Sequence, residues 1–416
     1  MGILSRASLH PPENGGGGGA DLANGPRPSW ILLDQKAYVA DARNSTTATC
    51  RFKGDKELQV TFFPARPPRV SYFCVFCAGH EASDYALEPK IVGILSHDGY
   101  TVVALRDDSI ALYRKSPPGP GHYEVCILRS KDTGWTIKDV YVPPEQQQQQ
   151  RSGDDGGRFR HATYKTITIG AERGTVAFVD LWRGILWYDV FGGSPLLRYT
   201  LLPDICPGTK KQYNVNPLYT RDIAVVEGRI KFVAMVNPRT MGSTGSACYW
   251  KAATWSMPAS SSSSTSSRED NTWLPPFELE ACDIGDNKNL VCSELLPKLH
   301  CREGKPRPTL ASLDTEYPML SLCDDDIVYF MTRVALPDTK ACMIAVDMKS
   351  RKLEGLAEFS AERMLDMAFA CMHSRISSYL NMAPGMRKTK TEKGMKKEKC
   401  KKVIIQFVGL PVRPSF

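Results

Sequence analysis

Long hydrophobic runs are missing from this chain of 416 residues. No stretch reaches the roughly 18 apolar residues that a membrane-spanning helix requires. A secretory signal would need an apolar core of about 7–15 residues near the start; here Ile3-Leu4 is followed at once by Ser5-Arg6. Arg6 also stands where N-myristoylation of Gly2 would want Ser or Thr. These absences predict a cytoplasmic or nuclear protein with no membrane partner. In such a compartment the 13 scattered cysteines read as reduced, mostly small core residues.

Catalytic signatures are equally scarce. Gly304-Lys305 is followed by Pro306, so a P-loop lacks its magnesium-binding hydroxyl. Gly15 to Ala20 satisfies a dinucleotide fingerprint only because polyglycine satisfies any such pattern, and no strand precedes it. Neither a G-x-S-x-G elbow nor an H-E-x-x-H pair occurs. Cys74-Val75-Phe76-Cys77 with His80 has the spacing of half a zinc site, yet no second C-x-x-C exists to complete four ligands. Val75 and Phe76 make a buried strand the simpler reading. Asp324-Asp325-Asp326 reads as a solvated turn, because successive strand residues point to opposite faces. The seven histidines show no paired spacing. No catalytic, cofactor-binding or metal-binding residues are assigned, no cofactor is expected, and the balance leans away from an enzyme.

Charge is sparse except in one place. Nine of the lysines and arginines fall within 387–402, against Glu392 and Glu398, giving that segment +7 of the chain's formal +8. The body is nearly neutral, so the basic character belongs to a tail. Lys396, Lys397, Lys399, Lys401 and Lys402 are its candidate contacts with nucleic acid or import machinery. No aromatic residue is interleaved there, so base stacking has no support.

What is present is β-pattern. Hydrophobic residues make up 42% of the chain, enough for a sizeable core. Residues 1–28 read as a disordered leader rich in Gly and Pro. A β-rich body spans 29–383, with loop insertions near 143–160 and 258–271. A basic low-complexity segment covers 384–402, and 403–416 reads as a short terminal strand or tail. Strands are predicted at 99–105, 109–113, 123–128, 135–140, 176–181, 185–190, 223–226, 230–236, 327–332, 343–348 and 353–359. Trp182-Arg183-Gly184 forms a hairpin turn between two of them. Ser360, Glu362 and the spacing of Leu365, Ala368, Met372, Ile376 and Tyr379 predict one C-terminal helix near 361–381. A body this large outgrows a single sandwich, which favours an all-β, propeller-like arrangement of antiparallel sheets. Strands ending at Asp189 and Asp347 read as equivalent members of different blades. Two packed β domains are the alternative.

Val179-Asp180-Leu181-Trp182-Arg183-Gly184-Ile185-Leu186-Trp187-Tyr188-Asp189-Val190, followed by Leu197-Arg198-Tyr199 and Leu201-Leu202-Pro203, resembles the signature of the plant family called domain of unknown function 1618, abundant in grasses. Trp30 to Asp34, Arg43 to Ala48, Pro67 to Cys74 and Ser377 to Leu380 agree with it. Phe178 stands where that pattern has Trp, and Trp187-Tyr188 replace smaller residues. The resemblance implies no activity, cofactor or catalytic residue. Asp180, Leu181, Trp182, Arg183, Gly184 and Asp189 are read as structural residues of the motif, with the aspartates satisfying turn amides. The functional expectation is a non-enzymatic protein-interaction or scaffold protein with unidentified protein partners. The alternatives are an enzyme with an unrecognised site on a β scaffold, or a nuclear nucleic-acid-associated protein acting through its lysines.

Overall fold

The computed structural model describes residues 11, 28–34, 36–52, 56–79, 90–96, 101–107, 120–129, 133–134, 136–150, 159–170, 174–205, 215–237, 250–259, 272–284, 310, 313–323, 325–333, 340–360, 371–375 and 403–408. Five strands come first: β1 (Ile31–Asp34), β2 (Tyr38–Val39), β3 (Ala48–Phe52), β4 (Lys56–Phe63) and β5 (Val70–Cys77). Then follow β6 (Lys90–Ser96), β7 (Thr101–Asp107), β8 (His122–Arg129) and β9 (Thr136–Tyr141). Three four-strand meanders come next. They are β10 (Lys165–Gly170), β11 (Thr175–Asp180), β12 (Gly184–Asp189) and β13 (Arg198–Leu201); β14 (Arg221–Val226), β15 (Arg229–Val236), β16 (Lys251–Pro258) and β17 (Phe277–Glu280); and β18 (Asp314–Leu320), β19 (Ile327–Arg333), β20 (Lys340–Asp347) and β21 (Lys352–Ser360). β22 (Cys371–Ser374) and β23 (Val403–Val408) complete the described strands.

The sheets β7–β9, β10–β13, β14–β17 and β18–β21 are small, antiparallel and arranged like the blades of a four-blade β-propeller. The first strands join late ones. β1 pairs antiparallel with β22 and parallel with β5, which continues through β4 to β3. β23 pairs with β6.

Side-chain alternation explains why this sequence stacks sheets. Along β11, Val176 and Phe178 enter the core shared with β8 and β9, whereas Ala177 and Val179 enter the core shared with β14–β16. β15 repeats the pattern, with Ile230, Phe232 and Ala234 on one side and Val233 and Met235 on the other. β19 does so again: Val328 and Phe330 face the β14–β17 sheet, while Tyr329 and Met331 face Trp30 and Leu32. Period two here divides residues between two cores rather than between core and water. All six residues of β11 and all seven of β18 are buried accordingly. Asp189 and Asp347 close β12 and β20, each the third strand of its sheet, as equivalent positions should.

Two local expectations change. Within the predicted helix near 361–381, Cys371–Ser374 form a strand; the rest of that span, like 109–113, lies outside the described residues. Pairing of Ile31 to Asp34 with Ser374 to Cys371 completes backbone hydrogen bonding that a helix there would forgo. Within the insertion near 143–160, Pro144–Gln147 make a helical turn continued by Gln148–Gln150. The Gln146 side-chain oxygen accepts from Tyr199 N–H at 2.7 Å, so this turn covers an edge of β13.

Candidate functional site

The motif hairpin is built from the turn outward. Asp180 closes β11 and is fully buried. Its Oδ1 accepts from Trp182 N–H at 2.9 Å; its Oδ2 accepts from Ala162 N–H at 2.9 Å and from Arg183 Nη1 at 3.1 Å. Burial still raises the Asp180 carboxyl above its usual range, against the pull of these donors and Arg183. Trp182 Nε1 donates to Val215 O at 3.0 Å. The Arg221 guanidinium stacks on the Trp182 ring at 4.1 Å and donates to Leu181 O at 3.0 Å. Gly184 opens β12 against Tyr199 and Thr200. Asp189, at the far end of β12, accepts from Thr175 Oγ1 at 2.6 Å and lies 3.7 Å from Arg198. Phe178 fills the seam with β8 and β9. Arg183 and Asp180 thus serve the turn and one another.

His161 lies against this hairpin, with its ring edge-on to Tyr123. Both ring nitrogens are buried without a hydrogen-bond partner. Burial, assisted by the Arg183 charge, pushes its pKa down to about 3, so it is neutral at physiological pH.

A second polar cluster gathers the first strands of successive sheets. Lys165 of β10 donates to Asp222 Oδ1 of β14 at 2.6 Å. Asp222 Oδ2 accepts from Leu320 N–H of β18 at 3.0 Å. His373 of β22 brings Nε2 to 3.1 Å from the same oxygen, at ion-pair distance but off the hydrogen-bond axis. Its Nδ1 lies 3.4 Å from Lys165 Nζ. Burial opposes ionisation of Asp222, yet Lys165 and His373 together hold its carboxyl well below the usual range. Burial lowers the His373 pKa, Asp222 acts against that, and Lys165 adds to it. A neutral imidazole with its proton on Nε2 fits both neighbours: Nδ1 accepts from the ammonium and Nε2–H faces the carboxylate. Cys371, two residues earlier, has its thiol pushed well up by burial and by Asp34. The arrangement clamps four strands.

Spacing within one segment could not reveal this cluster, because Lys165 and His373 are 208 positions apart. Cys74 and Cys77 are both buried in β5, and three residues apart on a strand they face opposite sides. His80 and Asp324 lie outside the described residues, as do Lys396, Lys397, Lys399, Lys401 and Lys402. Asp325 and Asp326 lie in the turn before β19, where Lys231 reaches Asp325 O at 2.7 Å and Asp326 at 3.6 Å. Among the described residues no helix is long and apolar enough to cross a membrane.

One accessible feature among the described residues is apolar. Leu201 at the end of β13, Leu202 and Pro203 just beyond it, and Trp255 of β16 face Trp273-Leu274-Pro275-Pro276 around a hollow of about 420 Å³. Trp273 Nε1 donates to Leu201 O at 2.9 Å, and Leu274 N–H to Ser256 O at 2.9 Å, fixing the two walls. Leu201, Leu274 and the adjacent Phe277 are each over 40% exposed. None of the hollow's lining residues belongs to either polar cluster. Sequence reasoning missed it, since Trp273 and its prolines carry no strand period; Trp-Leu-Pro-Pro beside a serine-rich break was the available signal.

Residues 178–329 match the model of a family described as "Protein of unknown function (DUF1618)". The matched segment runs from β11 through the β14–β17 sheet into β19, and so contains the hairpin, Asp222 and every residue lining the hollow. No curated protein matches the chain.

Proposed function

We propose that this chain is a non-enzymatic protein-interaction module that takes a short extended segment, rich in proline and aliphatic residues, in the hollow between β13 and Trp273 to Pro276. The observation that carries this reading is the hollow's chemistry. Two tryptophan faces, three prolines and two exposed leucines offer stiff apolar contact and few hydrogen-bond donors. A polyproline-type segment matches such a wall, because it has few amide N–H groups to satisfy and loses little entropy on binding.

Tryptophan fluorescence of the full chain, titrated with a panel of proline-rich peptides and polar extended controls, tests the proposal. Saturable quenching is expected with proline-rich members alone. Trp273→Ala and Leu274→Asp should each weaken it at least about tenfold, the scale of a lost interface anchor. Undiminished binding by both variants, or no preference for proline-rich peptides, would sink it. A second reading, nucleic-acid contact through Lys396 to Lys402 in the nucleus, rests on the charge run in the sequence. Binding that falls steeply with salt and vanishes on removal of 384–402 would favour it.

A further inference from the structure

β18, the first strand of its sheet, is irregular at one point. Its register with β19 shifts between Glu316 and Met319, and Tyr317 within that bulge has φ of +53°. A bulky aromatic residue in the left-handed region is strained and persists only where its surroundings hold it. Tyr219, just before β14, packs edge-on at 4.9 Å and hydrogen-bonds with the Tyr317 hydroxyl.

Beside the bulge is a buried cluster with unequal charge. Asp314 and Glu316 lie two apart on β18 and share one cation, Arg333 of β19. Arg333 Nε reaches Asp314 Oδ2 at 3.2 Å and Nη2 reaches Glu316 Oε2 at 3.0 Å. Asn237, following β15, donates to Asp314 Oδ1 at 2.9 Å and to Thr315 O at 3.1 Å. All four side chains are buried. Two carboxylates and one guanidinium give a net negative charge in a site without water's screening. A proton on Glu316 makes the cluster neutral while leaving its oxygen free to accept from Arg333.

We propose that Glu316 is a proton switch beside the bulge of β18, holding the β14–β17 and β18–β21 sheets together when protonated and loosening that seam when it ionises. The facing charged and titratable groups are Asp314 and Tyr317 on its own strand, Arg333 on β19 and Tyr219 before β14; Asp222 of β14 holds the far end of β18 through Leu320. Burial first, then Asp314, raise the Glu316 carboxyl to about 7, with Arg333 acting against them. An unfolded glutamate ionises near 4.5. The native state therefore keeps a proton that the unfolded chain has already released to the buffer. That advantage is complete at low pH and is lost as pH rises through about 7.

Thermal unfolding of the full chain and of Glu316→Gln between about pH 5 and 8 tests this. Relative to the glutamine variant, a permanent mimic of the neutral acid, the wild-type melting temperature should fall by a few degrees as pH rises across this range. Hydrogen exchange across 314–320, corrected for intrinsic pH dependence, should quicken in the wild type alone. Parallel profiles for the two proteins would overturn the proposal. Should the variant fail to fold, isotope-edited infrared spectra of the wild type decide. Loss of a protonated carboxyl band near neutrality supports the switch, and its absence already at about pH 5.5 overturns it.

Discussion

A Cβ at position 184 would meet the Tyr199 ring and hydroxyl at 2.5 Å and the Thr200 carbonyl oxygen at 2.6 Å. The ring could swing aside, but the paired β13 backbone cannot. Gly184→Ala is expected to destabilise the fold by about 2–3 kcal/mol, the scale of an overpacked core position, measured by urea unfolding. At this scale the sequence is most legible where chemistry is local. Trp182-Arg183-Gly184 announces its turn, and an aspartate two residues before an amide announces the bond that Asp180 makes. His161 announces nothing, because its burial is imposed by Tyr123 and Arg183 from other segments.

Strands meet where no local pattern points. β10, β14, β18 and β22 each send one group to the carboxylate of Asp222 or carry it. Asp222→Asn would leave Lys165 and His373 without their anion in a buried site. A loss of about 3 kcal/mol is expected, of the order seen when one partner of a buried pair is removed. The paired change with Lys165→Met should recover part of it, and a double-mutant cycle by chemical denaturation checks both. Sequence alternation found β7–β9, β11, β12, β14, β15 and β19–β21 because their apolar runs are strong. β22 escaped because four residues are too few to establish a period, and Leu365, Met372 and Ile376 also satisfy a helical one. The glutamine run misled in another way: composition suggests a solvated loop, whereas Gln146 and Gln147 dock on β13 and Val142.

For the whole molecule, opposing titrations set the pH of greatest stability. The buried neutral His161 binds its proton only near pH 3, whereas an unfolded histidine binds one below about 6.5. Unfolding is therefore favoured increasingly as pH falls from 6.5 towards 3, and His373, also lowered, acts in the same direction. Asp222 adds a further loss at still lower pH, as its depressed carboxyl is finally protonated. Glu316 works oppositely between about 4.5 and 7. His161 and Glu316 largely offset one another between about 4.5 and 6.5, so stability should be lost below that range through His161 and Asp222 and above it through Glu316. His161→Leu should raise stability at pH 5 relative to pH 6.5 by on the order of 2 kcal/mol more than in the wild type; denaturation midpoints of both proteins at the two pH values measure it. The propeller-like class was legible at this scale from size and strand density. The order of its sheets was not, because continuous apolar runs such as Val176 to Val179 do not say which neighbour each face will meet.

The register of β1 with β22 has a mechanical meaning. Ile31 lies opposite Ser374, and Asp34 opposite Cys371. Chain entering β1 and chain leaving β22 thus depart from the same end of the pair. A tension applied between residues 30 and 375 would load its hydrogen bonds one after another, as a zip is opened, instead of all at once in shear. Such a closure yields to small forces directed along its own ends. It resists pulls applied across the neighbouring sheets, where whole seams must part together.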